Sequence, residues 1–473
     1  MKICVLQPDY STTPVDYKNW DPPRNLQRLL PGARVDHVFI NKLTTYKQLK
    51  ALASRGYDCF VNLCEGYLHW EVPSIDVVYT LELLGLPFTG PTTTLYDPPK
   101  EVMKYVAYSE GIATPAYALV TPSEDLAKAA AHLRYPLFVK PAHAGDSLGV
   151  DAQSFVSSFE ALSRKVTTLW EEYREVLVEE YIDGREFTVL VAANAAPKSS
   201  TVFAPVEYLF PAGQRFKTYA LKTSELHPEC NVPVTETALA AALKDAVQRI
   251  FGSFGGVGYA RMDFRSDASG ALYFLEVNFT CSVFYEGGYE GSADHILRQD
   301  GIGQEGFLRH IIAEAIARHH RHRRKHYMKG NAIAGFGIYA RTGIAAGEVI
   351  FTGEEAAHRL VTRRHVQRHW NDAERQAFER YAWTISDEVY AIWDADPLHW
   401  APQNHSCDAN TVHDGLNVVA ARAIQAGEEL TLDYGLFLDE RAASFVCRCG
   451  AAVCRGIIRG SARNSVTMRE KNR

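Results

Sequence analysis

The chain lacks any apolar run of about 20 residues, the length that a helix needs to cross a bilayer. It also lacks an excess of positive charge, because the formal net charge of its 473 residues is −6. These absences argue against a membrane-spanning protein and against a general nucleic-acid or polybasic membrane binder. The first apolar run, residues 2–6, soon meets Pro8 and has no small-residue cleavage site after it. We therefore expect no signal peptide and a cytoplasmic protein.

Internal repeats and low-complexity tracts are absent as well. Hydrophobic residues make up 47% and charged residues 22% of the chain, which is typical of globular proteins. The length predicts about three domains or lobes. The chain has nine cysteines, which we expect to be reduced in the cytoplasm. Five of them are scattered and four gather near the C-terminus, so the last part of the chain is expected to differ in function.

The pattern of apolar runs divides the chain at about residue 325. Before it, we predict strands at 2–6, 35–40, 59–63, 116–120, 137–139, 175–179, 187–191, 258–264 and 272–277, with helices at 75–84, 100–109 and through 307–316. After it, short strands with glycine turns are predicted at 337–340, 348–351, 418–422 and 429–433. A polar helical insert at 364–381 lies between them, and together these elements predict a β-rich module. The basic run 318–326 has two interpretations: a solvated helix end, or a patch for nucleic acid or an acidic partner.

A phosphate-binding loop is predicted after residue 139. An apolar strand there delivers Lys140 to a small-residue loop that contains Gly145, Ser147 and Gly149. Main-chain N–H groups in such a loop can close over phosphates, and the lysine adds positive charge. Taken alone, the pattern also fits an ordinary structural turn.

A set of oxygen ligands is predicted on two later strands. Arg261 and Asp263 have period-2 spacing and share one face of a strand, as do Glu276 and Asn278 on the next strand. If the two strands form a hairpin, an aspartate, a glutamate and an asparagine converge. Such ligands suit Mg²⁺, which phosphate oxygens usually complete.

Together these segments resemble the ATP-grasp enzymes, in particular the D-alanine–D-alanine ligase family, over residues 1 to about 320. Further support comes from residues 81–90, from Lys100 with Lys104, and from the acidic segment 179–186. The resemblance implies a three-lobed α/β fold. It also implies a reaction in which ATP activates a carboxylate as an acyl phosphate, which an amine then attacks. Such chemistry needs charge neutralisation rather than a protein nucleophile.

The resemblance also implies roles for individual residues. The ATP phosphates would be held by Lys100, Lys140, Gly145 and Ser147, the adenine by Glu179, Tyr181 and Ile182, the ribose hydroxyls by Glu186, and Mg²⁺ or Mn²⁺ by Asp263, Glu276 and Asn278. Arg261 would stabilise the tetrahedral species. On the substrate side, residues 279–288 are bulky, aromatic and acidic, and Glu286 among them would repel a carboxylate but suit an amine or a guanidine.

A second site is predicted near the C-terminus. Asn404-His405-Ser406-Cys407 is followed by a segment that ends at Tyr434 and by a C-x-C-x4-C claw. Four cysteines at this spacing suit a closed tetrahedral zinc site, the alternative being free thiols. The zinc ligands would be Cys407, Cys447, Cys449 and Cys454.

These C-terminal motifs resemble the SET domain of lysine methyltransferases with a cysteine-rich post-SET tail, over about residues 327–458. The resemblance implies that S-adenosylmethionine is held by Gly335, Phe336, Gly337, Asn404, His405 and Tyr434. Tyr434 would also lie beside the transferring methyl group and orient the amine. Leu432, two residues before it, cannot anchor a water, which favours di- or trimethylation. Alternatively Leu432 is a core residue, and Phe437 or Tyr390 fills that pocket.

From these observations we predict an α/β three-lobed ATP-grasp fold fused to a β-rich SET domain with a zinc-binding tail. The predicted domains are 1–90, 91–325 (central and C-terminal ATP-grasp lobes), 327–440 (SET), 441–458 (post-SET) and a tail, 459–473. The predicted function is a bifunctional ATP-dependent carboxylate–amine ligase and methyltransferase. The alternative is a protein-lysine methyltransferase whose first part only binds nucleotide or substrate. Small carboxylates and amines, or a lysine-containing protein, would be the substrates, and family analogy suggests a homodimer.

Overall fold

A computed structural model of the chain describes residues 1–13, 19–66, 71–143, 147–218, 227–322, 325–331, 335–352, 359–385, 388–392, 403–415 and 417–460. The chain divides into two compact units, Met1–His322 and Arg323–Arg473. Within the described residues, no helix is both long enough and apolar enough to cross a membrane.

The first unit begins with a three-stranded parallel sheet of order β2-β1-β3. Its strands are β1 (Lys2–Pro8), β2 (Arg34–Ile40) and β3 (Cys59–Asn62), joined by helices α1 (Thr45–Ala53) and α2 (Ile75–Leu83). β3 and all of β1 after Lys2 are buried, which explains why both read as nearly continuous apolar runs. The predictions for this region are confirmed within a residue or two.

A second, antiparallel sheet follows, with the order β4-β7-β5-β6. It is preceded by helix α3 (Lys100–Ser109), and it contains β4 (Tyr117–Val120), β5 (Leu137–Pro141), β6 (Phe155–Val156) and β7 (Val176–Glu180), with helices α4 (Leu126–Ala129) and α5 (Phe159–Trp170). Leu162, Val166 and Leu169 of α5 pack on this sheet, and their i, i+4, i+7 spacing is that of one helix face.

The third sheet has six strands in the order β11-β10-β8-β12-β13, with β9 paired to β8. These are β8 (Glu186–Ala193), β9 (Ser200–Val202), β10 (Val206–Tyr208), β11 (Asn231–Pro233), β12 (Tyr259–Ser266) and β13 (Leu272–Asn278). The associated helices are α6 (Thr237–Ser253), α7 (Ser292–Asp300) and α8 (Gly303–His322). β8 is buried along its whole length because it lies between other strands.

The basic run at the end of α8 is solvated only in part, because His320 and Arg321 are exposed whereas Arg318 is not. Arg318 is buried and its guanidinium donates to the carbonyls of Phe88 and Gly90. Arg321 donates to the carbonyl of Ala195. These two arginines therefore hold α8 against the rest of the first unit, although Arg321 is itself exposed.

The second unit consists of small sheets. Its strands are β14 (His326–Asn331), β15 (Gly335–Ala340), β16 (Val349–Phe351), β17 (Arg359–Thr362), β18 (Trp383–Thr384), β19 (Val389–Ile392), β20 (Asn404–His405), β21 (Thr411–Asp414), β22 (Asn417–Ala420), β23 (Thr431–Leu432), β24 (Phe445–Val446) and β25 (Ile457–Ile458). Its helices are α9 (Arg363–His369), α10 (Asp372–Tyr381) and α11 (Tyr434–Phe437).

Two predictions for this unit were wrong in detail. The helical insert is two helices, because Asn371 caps α10 through a reciprocal pair of hydrogen bonds with Glu374 and so starts a new helix. The strand predicted over 429–433 covers only Thr431–Leu432, since Asp433 accepts a hydrogen bond from the Gly435 N–H and caps α11.

Candidate active sites

A cavity lies in the first unit. It is lined by most of the residues that were predicted to bind ATP, namely Lys100, Lys140, Ser147, Glu179, Tyr181, Ile182 and Glu186. Two of the predicted metal ligands, Asp263 and Glu276, also line it. Gly145 lies outside the described residues. The cavity thus brings together side chains from segments that are far apart in the sequence.

Lysines and carboxylates alternate on one wall of this cavity. Lys100 Nζ lies 2.9 Å from Glu276, and Lys140 Nζ lies 2.8 Å from Glu179 and 3.9 Å from Glu276. Lys104, one turn after Lys100 on α3, places its Nζ 2.7 Å from the other oxygen of Glu179. The cavity wall therefore carries the ammonium groups of Lys100 and Lys140 where a polyphosphate would need positive charge, whereas Lys104 is buried and is not among the lining residues.

The electrostatic balance at Glu179 depends on its two lysines. Burial alone would raise the pKa of Glu179, but the charges of Lys104 and Lys140 outweigh it and hold that pKa at about 2. Burial lowers the pKa of Lys104. Lys140 is also buried, yet Glu179 and Glu276 more than offset this, and its pKa is raised. Glu179 is therefore ionised, and it helps to keep Lys140 charged.

The predicted hairpin of oxygen ligands is present. β12 and β13 are antiparallel, with Asp263 opposite Glu276 and Arg261 opposite Asn278. The Arg261 guanidinium lies 3.2 Å from a carboxylate oxygen of Asp263. The Oδ1 atom of Asn278 accepts a 2.9 Å hydrogen bond from the N–H of Thr280. Two facing carboxylates and an adjacent amide oxygen are a donor set that suits a hard divalent cation.

Residues that the sequence did not single out complete the cavity. Lys217 and Phe216, from the segment before residue 219, line it together with Arg265. The Ser147 hydroxyl donates to the carbonyl of Lys217, which ties the loop after β5 to this segment. Arg265 donates to Glu186 at 3.1 Å and to the carbonyl of Ile182 at 2.8 Å. The segment 209–218 carries no periodic pattern, so only its Arg-Phe-Lys triplet could have signalled a role.

The segment after Asn278 differs from expectation at Glu286. This carboxylate pairs with the Arg28 guanidinium, and it is 56% exposed. That Glu286 would receive an amine or guanidine of a substrate stays a prediction, and in the structure Glu286 pairs with a guanidinium of the chain itself. The segment is ordered by Asp294, whose carboxylate accepts hydrogen bonds from the N–H groups of Phe284 and Tyr285.

In the second unit, the predicted cofactor residues surround Glu429. The side-chain amides of Asn404 and Asn331 both donate to its carboxylate at 2.8 Å, and Asn404 also donates to the carbonyl of Phe336. A Cβ atom on Gly337 would meet the Glu429 carboxylate, so a larger residue at this position would displace that side chain. Gly335 instead needs glycine for its positive φ of 83°.

His405 joins the predicted catalytic tyrosine to the cysteines. Its Nδ1 accepts a 3.1 Å hydrogen bond from the backbone N–H of Tyr434, and its Nε2 lies 3.4 Å from Cys407 Sγ. Burial lowers the pKa of His405, so the ring is neutral, as an Nδ1 acceptor must be. The Tyr434 hydroxyl donates to the carbonyl of Gln403 at 2.6 Å.

The sulfur atoms of Cys407, Cys447, Cys449 and Cys454 lie within 4.8 Å of one another. The Cys407 and Cys447 sulfurs are 3.9 Å apart, close to the edge of about 3.8 Å that a tetrahedron with zinc–sulfur bonds of about 2.3 Å has. The cluster therefore fits a tetrahedral thiophilic ion such as zinc.

The pocket beside Tyr434 has an aromatic neighbour. The ring of Phe437 lies 5.0 Å from the Tyr434 ring, whereas Tyr390 packs on Phe378 and donates its hydroxyl to Asp439. Of the two aromatic residues proposed to fill this pocket in place of Leu432, only Phe437 contacts the tyrosine within the described contacts.

Comparisons with known protein families agree with this division into two units. Residues 106–284 match the family model described as "D-ala D-ala ligase C-terminus", and residues 335–435 match the SET domain model.

The curated proteins that this chain resembles include two D-alanine–D-alanine ligases. The D-alanine–D-alanine ligase of Ectopseudomonas mendocina is 32% identical over 244 residues, which cover 50% of this chain and 72% of the relative. That of Bordetella petrii is 30% identical over 259 residues, covering 54% and 76%.

Solved structures show the fold of the first unit. The D-alanine–D-alanine ligase of Bacillus anthracis complexed with ATP superimposes with a TM-score of 0.50 at 19% identity, covering 68% of this chain and 99% of that one. The VanG D-Ala:D-Ser ligase of Enterococcus faecalis gives a TM-score of 0.50 at 18% identity, covering 66% and 99%. At such identities the likeness extends to the fold alone.

Proposed function

Because the chain belongs to the D-alanine–D-alanine ligase family and continues into a SET domain, we propose that it is a bifunctional enzyme. Its first unit would join a carboxylate to an amine at the expense of ATP. Its second unit would transfer methyl groups from S-adenosylmethionine to an amine. The observation that carries the ligase half is the convergence of Lys100, Lys140, Asp263 and Glu276 in one cavity.

Each group in that cavity has a role in the proposed ligation. Lys100 and Lys140 neutralise the phosphates, and Ser147 keeps the loop after β5 against the segment that carries Lys217. Asp263, Glu276 and Asn278 would hold a magnesium ion, which supplies charge neutralisation when bound. Tyr181, Ile182 and Glu186 line the part of the cavity assigned to the nucleoside, with Glu179 fixing Lys140 beside them.

Arg261 would stabilise the tetrahedral species that forms at the reacting carbon. ATP transfers its γ-phosphoryl group to the substrate carboxylate, and the amine then attacks the acyl phosphate and displaces phosphate. The tetrahedral species carries negative charge on oxygen, and a guanidinium held against Asp263 is pre-oriented to stabilise it.

The ligase half is tested by amino-acid-dependent release of ADP from the purified chain, screened with individual L- and D-amino acids. Lys140→Ala and Glu276→Ala should abolish ADP release, because each loss typically raises the barrier by several kcal/mol. Lys128→Ala, an exposed lysine of the same lobe, is the control. ATP binding without ADP release would instead make the first unit a nucleotide-binding module of a methyltransferase.

The methyltransferase half rests on the arrangement around Glu429 and Tyr434. Gly335, Phe336, Gly337, Asn404 and His405 would hold S-adenosylmethionine, which supplies an electrophilic methyl group when bound. Tyr434 would orient the accepting amine by its hydroxyl, which already donates to a main-chain carbonyl. Aligning the amine nitrogen with the methyl group and sulfur gives the in-line geometry that the transfer needs.

The cysteine cluster would support this site. A zinc ion on Cys407, Cys447, Cys449 and Cys454 would fix the tail at residues 447–458, and His405 would transmit that order to Tyr434 through its two ring nitrogens.

Mass spectrometry tests the methyl transfer. Products formed with S-adenosylmethionine should be heavier by whole methyl groups than those formed without it, and Tyr434→Phe should lose the increment. Unchanged methylation by Tyr434→Phe would contradict the assignment of this tyrosine. Leu432→Tyr, in the same assay, reports whether Leu432 sets the number of methyl groups.

A further inference from the structure

A buried lysine that the proposed mechanism does not use lies against the phosphate-binding loop after β5. Lys165, on helix α5, is only 3% exposed, and it is not among the residues that line the cavity. Its Nζ atom donates to the carbonyl oxygen of Gly149 and to Oδ1 of Asp151, each at 2.9 Å. The buried lysines Lys100 and Lys104 pair instead with carboxylates of the cavity wall. Lys165 is therefore directed to the loop and not to the cavity.

The loop makes a tight turn at the residues that Lys165 holds. Ser147 and Gly149 have positive φ angles of 59° and 70°, and the N–H of Val150 donates to the carbonyl of Ser147 at 2.9 Å. Successive main-chain N–H groups in such turns form concave sites for anions. Ser147 and Val150 also line the cavity. The turn 147–150 thus has a main-chain conformation that suits a phosphate.

The left-handed conformation of Ser147 depends on its surroundings. A residue with a side chain adopts a positive φ at a cost in conformational energy, so it persists only where other contacts fix it. One such contact is the 3.1 Å hydrogen bond from the Ser147 hydroxyl to the carbonyl of Lys217. Another is the bond from Lys165 to the carbonyl of Gly149, two residues after Ser147. The first contact joins the turn to the segment 209–218, and the second joins it to α5.

One face of helix α5 supports this turn. Lys165 and Leu169 are four residues apart and therefore lie on the same face of the helix. A Cβ atom on Gly149 would meet the side chains of Leu169 and Pro141, so the main chain of the turn packs closely on both. Gly149 is thus held by close packing on α5 and by the hydrogen bond to its carbonyl.

The two acceptors of Lys165 differ in their contribution. The Asp151 side chain is 59% exposed, so its ion pair with Lys165 adds little to stability and its charge is hydrated without the lysine. Removing the ammonium therefore leaves no unpaired charge in the interior. The main loss is the support of the Gly149 carbonyl, which is local to the turn.

From these contacts we infer that Lys165 is a positioning residue for the phosphates of ATP. It holds the turn 147–150 in the conformation that presents main-chain N–H groups to the phosphates, and it acts on ATP through the loop and not by direct contact. The inference rests on the proposed ligase function, and it adds to that function a residue outside the cavity that sets the affinity for ATP.

Calorimetry of the full chain with Mg²⁺ tests this inference, with a non-hydrolysable ATP analogue and adenosine as the two ligands. Lys165→Met nearly keeps the methylene stem and removes the ammonium. We expect its affinity for the ATP analogue to fall about 10-fold, since a hydrogen bond from a charged group is lost. Its affinity for adenosine, which has no phosphate, should stay unchanged. Hydrogen exchange should be faster at residues 147–151 and unchanged at residues 176–180.

Two further variants serve as rescue and control. Lys165→Arg should recover part of the affinity for the ATP analogue, because a guanidinium can also donate to two oxygens. Arg164→Gln is the matched control: Arg164 directly precedes Lys165 on α5, but its side chain is 69% exposed and pairs with Glu160. This control should bind both ligands as the parent protein does.

Wild-type affinity for the ATP analogue in Lys165→Met would overturn the inference. An equal loss of affinity for the ATP analogue and for adenosine would also overturn it, because that result indicates a general loss of structure in the lobe. If Lys165→Met is poorly folded, Lys165→Gln, which keeps one donor group, should show the same selective loss to a smaller degree, and the same two results would count against it. A wild-type chain that binds the ATP analogue but releases no ADP with any amino acid contradicts the ligase function alone, since the inference is measured by binding. A wild-type chain that does not bind the ATP analogue overturns both.

Discussion

Removing the charge of Lys104 should lower the stability of the first unit and weaken its binding of ATP. Lys104 and Lys140 flank Glu179, whose side chain is only 4% exposed, at 2.7 and 2.8 Å. In Lys104→Met the methylene stem is nearly kept while one of the two cations is lost. Glu179 then shares a buried site with Lys140 alone.

The magnitude follows from the burial of this group. Breaking a buried ion pair by removing one partner costs about 3–5 kcal/mol, because the other charge stays behind. In this variant Lys140 still neutralises Glu179, and the free-energy cost of burying the Lys104 charge is no longer incurred. We therefore expect the free energy of unfolding to fall by about 2–3 kcal/mol. Stronger pairing of Lys140 with Glu179 should also raise the KM for ATP.

Because the chain has two units, the unfolding must be followed locally. Hydrogen exchange of a peptide covering residues 176–180, measured across a urea series, reports on strand β7 of the first unit. Arg134→Gln is the control. Arg134 pairs with Glu180, which directly follows Glu179 in the chain, but the Arg134 side chain is 87% exposed. We expect its urea midpoint to match that of the parent protein.

A double variant sharpens the test. Lys104→Met with Glu179→Gln removes both the cation and the buried carboxylate, so it should recover part of the loss seen in Lys104→Met. A urea midpoint and an ATP KM equal to those of the parent in Lys104→Met would refute the argument that Lys104 shares the charge of Glu179 with Lys140.

Three further predictions concern the second unit. Glu429→Gln leaves one carbonyl oxygen for two amide donors and should weaken S-adenosylmethionine binding about 10-fold in calorimetry. The control is Glu440→Gln, which changes an exposed glutamate and should leave the affinity unchanged. Equal affinity in the two variants would count against a role of the Glu429 carboxylate. Metal analysis should find one zinc per chain, and its chelation should speed hydrogen exchange at residues 447–458 and slow methyl transfer without affecting ADP release; protein purified without chelators and free of zinc would disprove this. Burial lowers the pKa of His413 to about 4 in the folded chain. As the pH falls below about 6.5, this histidine therefore takes up a proton in the unfolded chain before it does so in the folded chain. The second unit should then lose up to about 3 kcal/mol in the free energy of unfolding between pH 6.5 and 4. His413→Phe should remove most of this pH dependence in urea midpoints measured at residues 411–414, and an unchanged pH profile would show that another group is responsible.

Much of the site in the first unit could be predicted because its elements have strong local patterns. The period-2 spacing of Arg261 with Asp263 and of Glu276 with Asn278 predicted a hairpin with these side chains together, and the pairing is the one found. The helix Lys100–Ser109 follows in the same way from its apolar spacing and the glycine after it.

The contacts that the sequence could not give are those between distant segments. Lys104 meets Glu179, 75 positions later, only through tertiary packing, and no periodicity encodes that contact. Arg318 belongs to a charged run in the sequence, but its guanidinium is buried and donates hydrogen bonds to the carbonyls of Phe88 and Gly90.

The most direct test of two independent activities in one chain is a product analysis of two variants, Glu276→Ala and Asn404→Ala. Each would be incubated with ATP, S-adenosylmethionine and the accepted substrates, and ADP, the ligated product and its methyl content would be measured by mass. The account predicts that Glu276→Ala forms neither ADP nor ligated product, while Asn404→Ala forms both but adds no methyl group. ADP release at the wild-type rate by Glu276→Ala, or full methylation by Asn404→Ala, would contradict it.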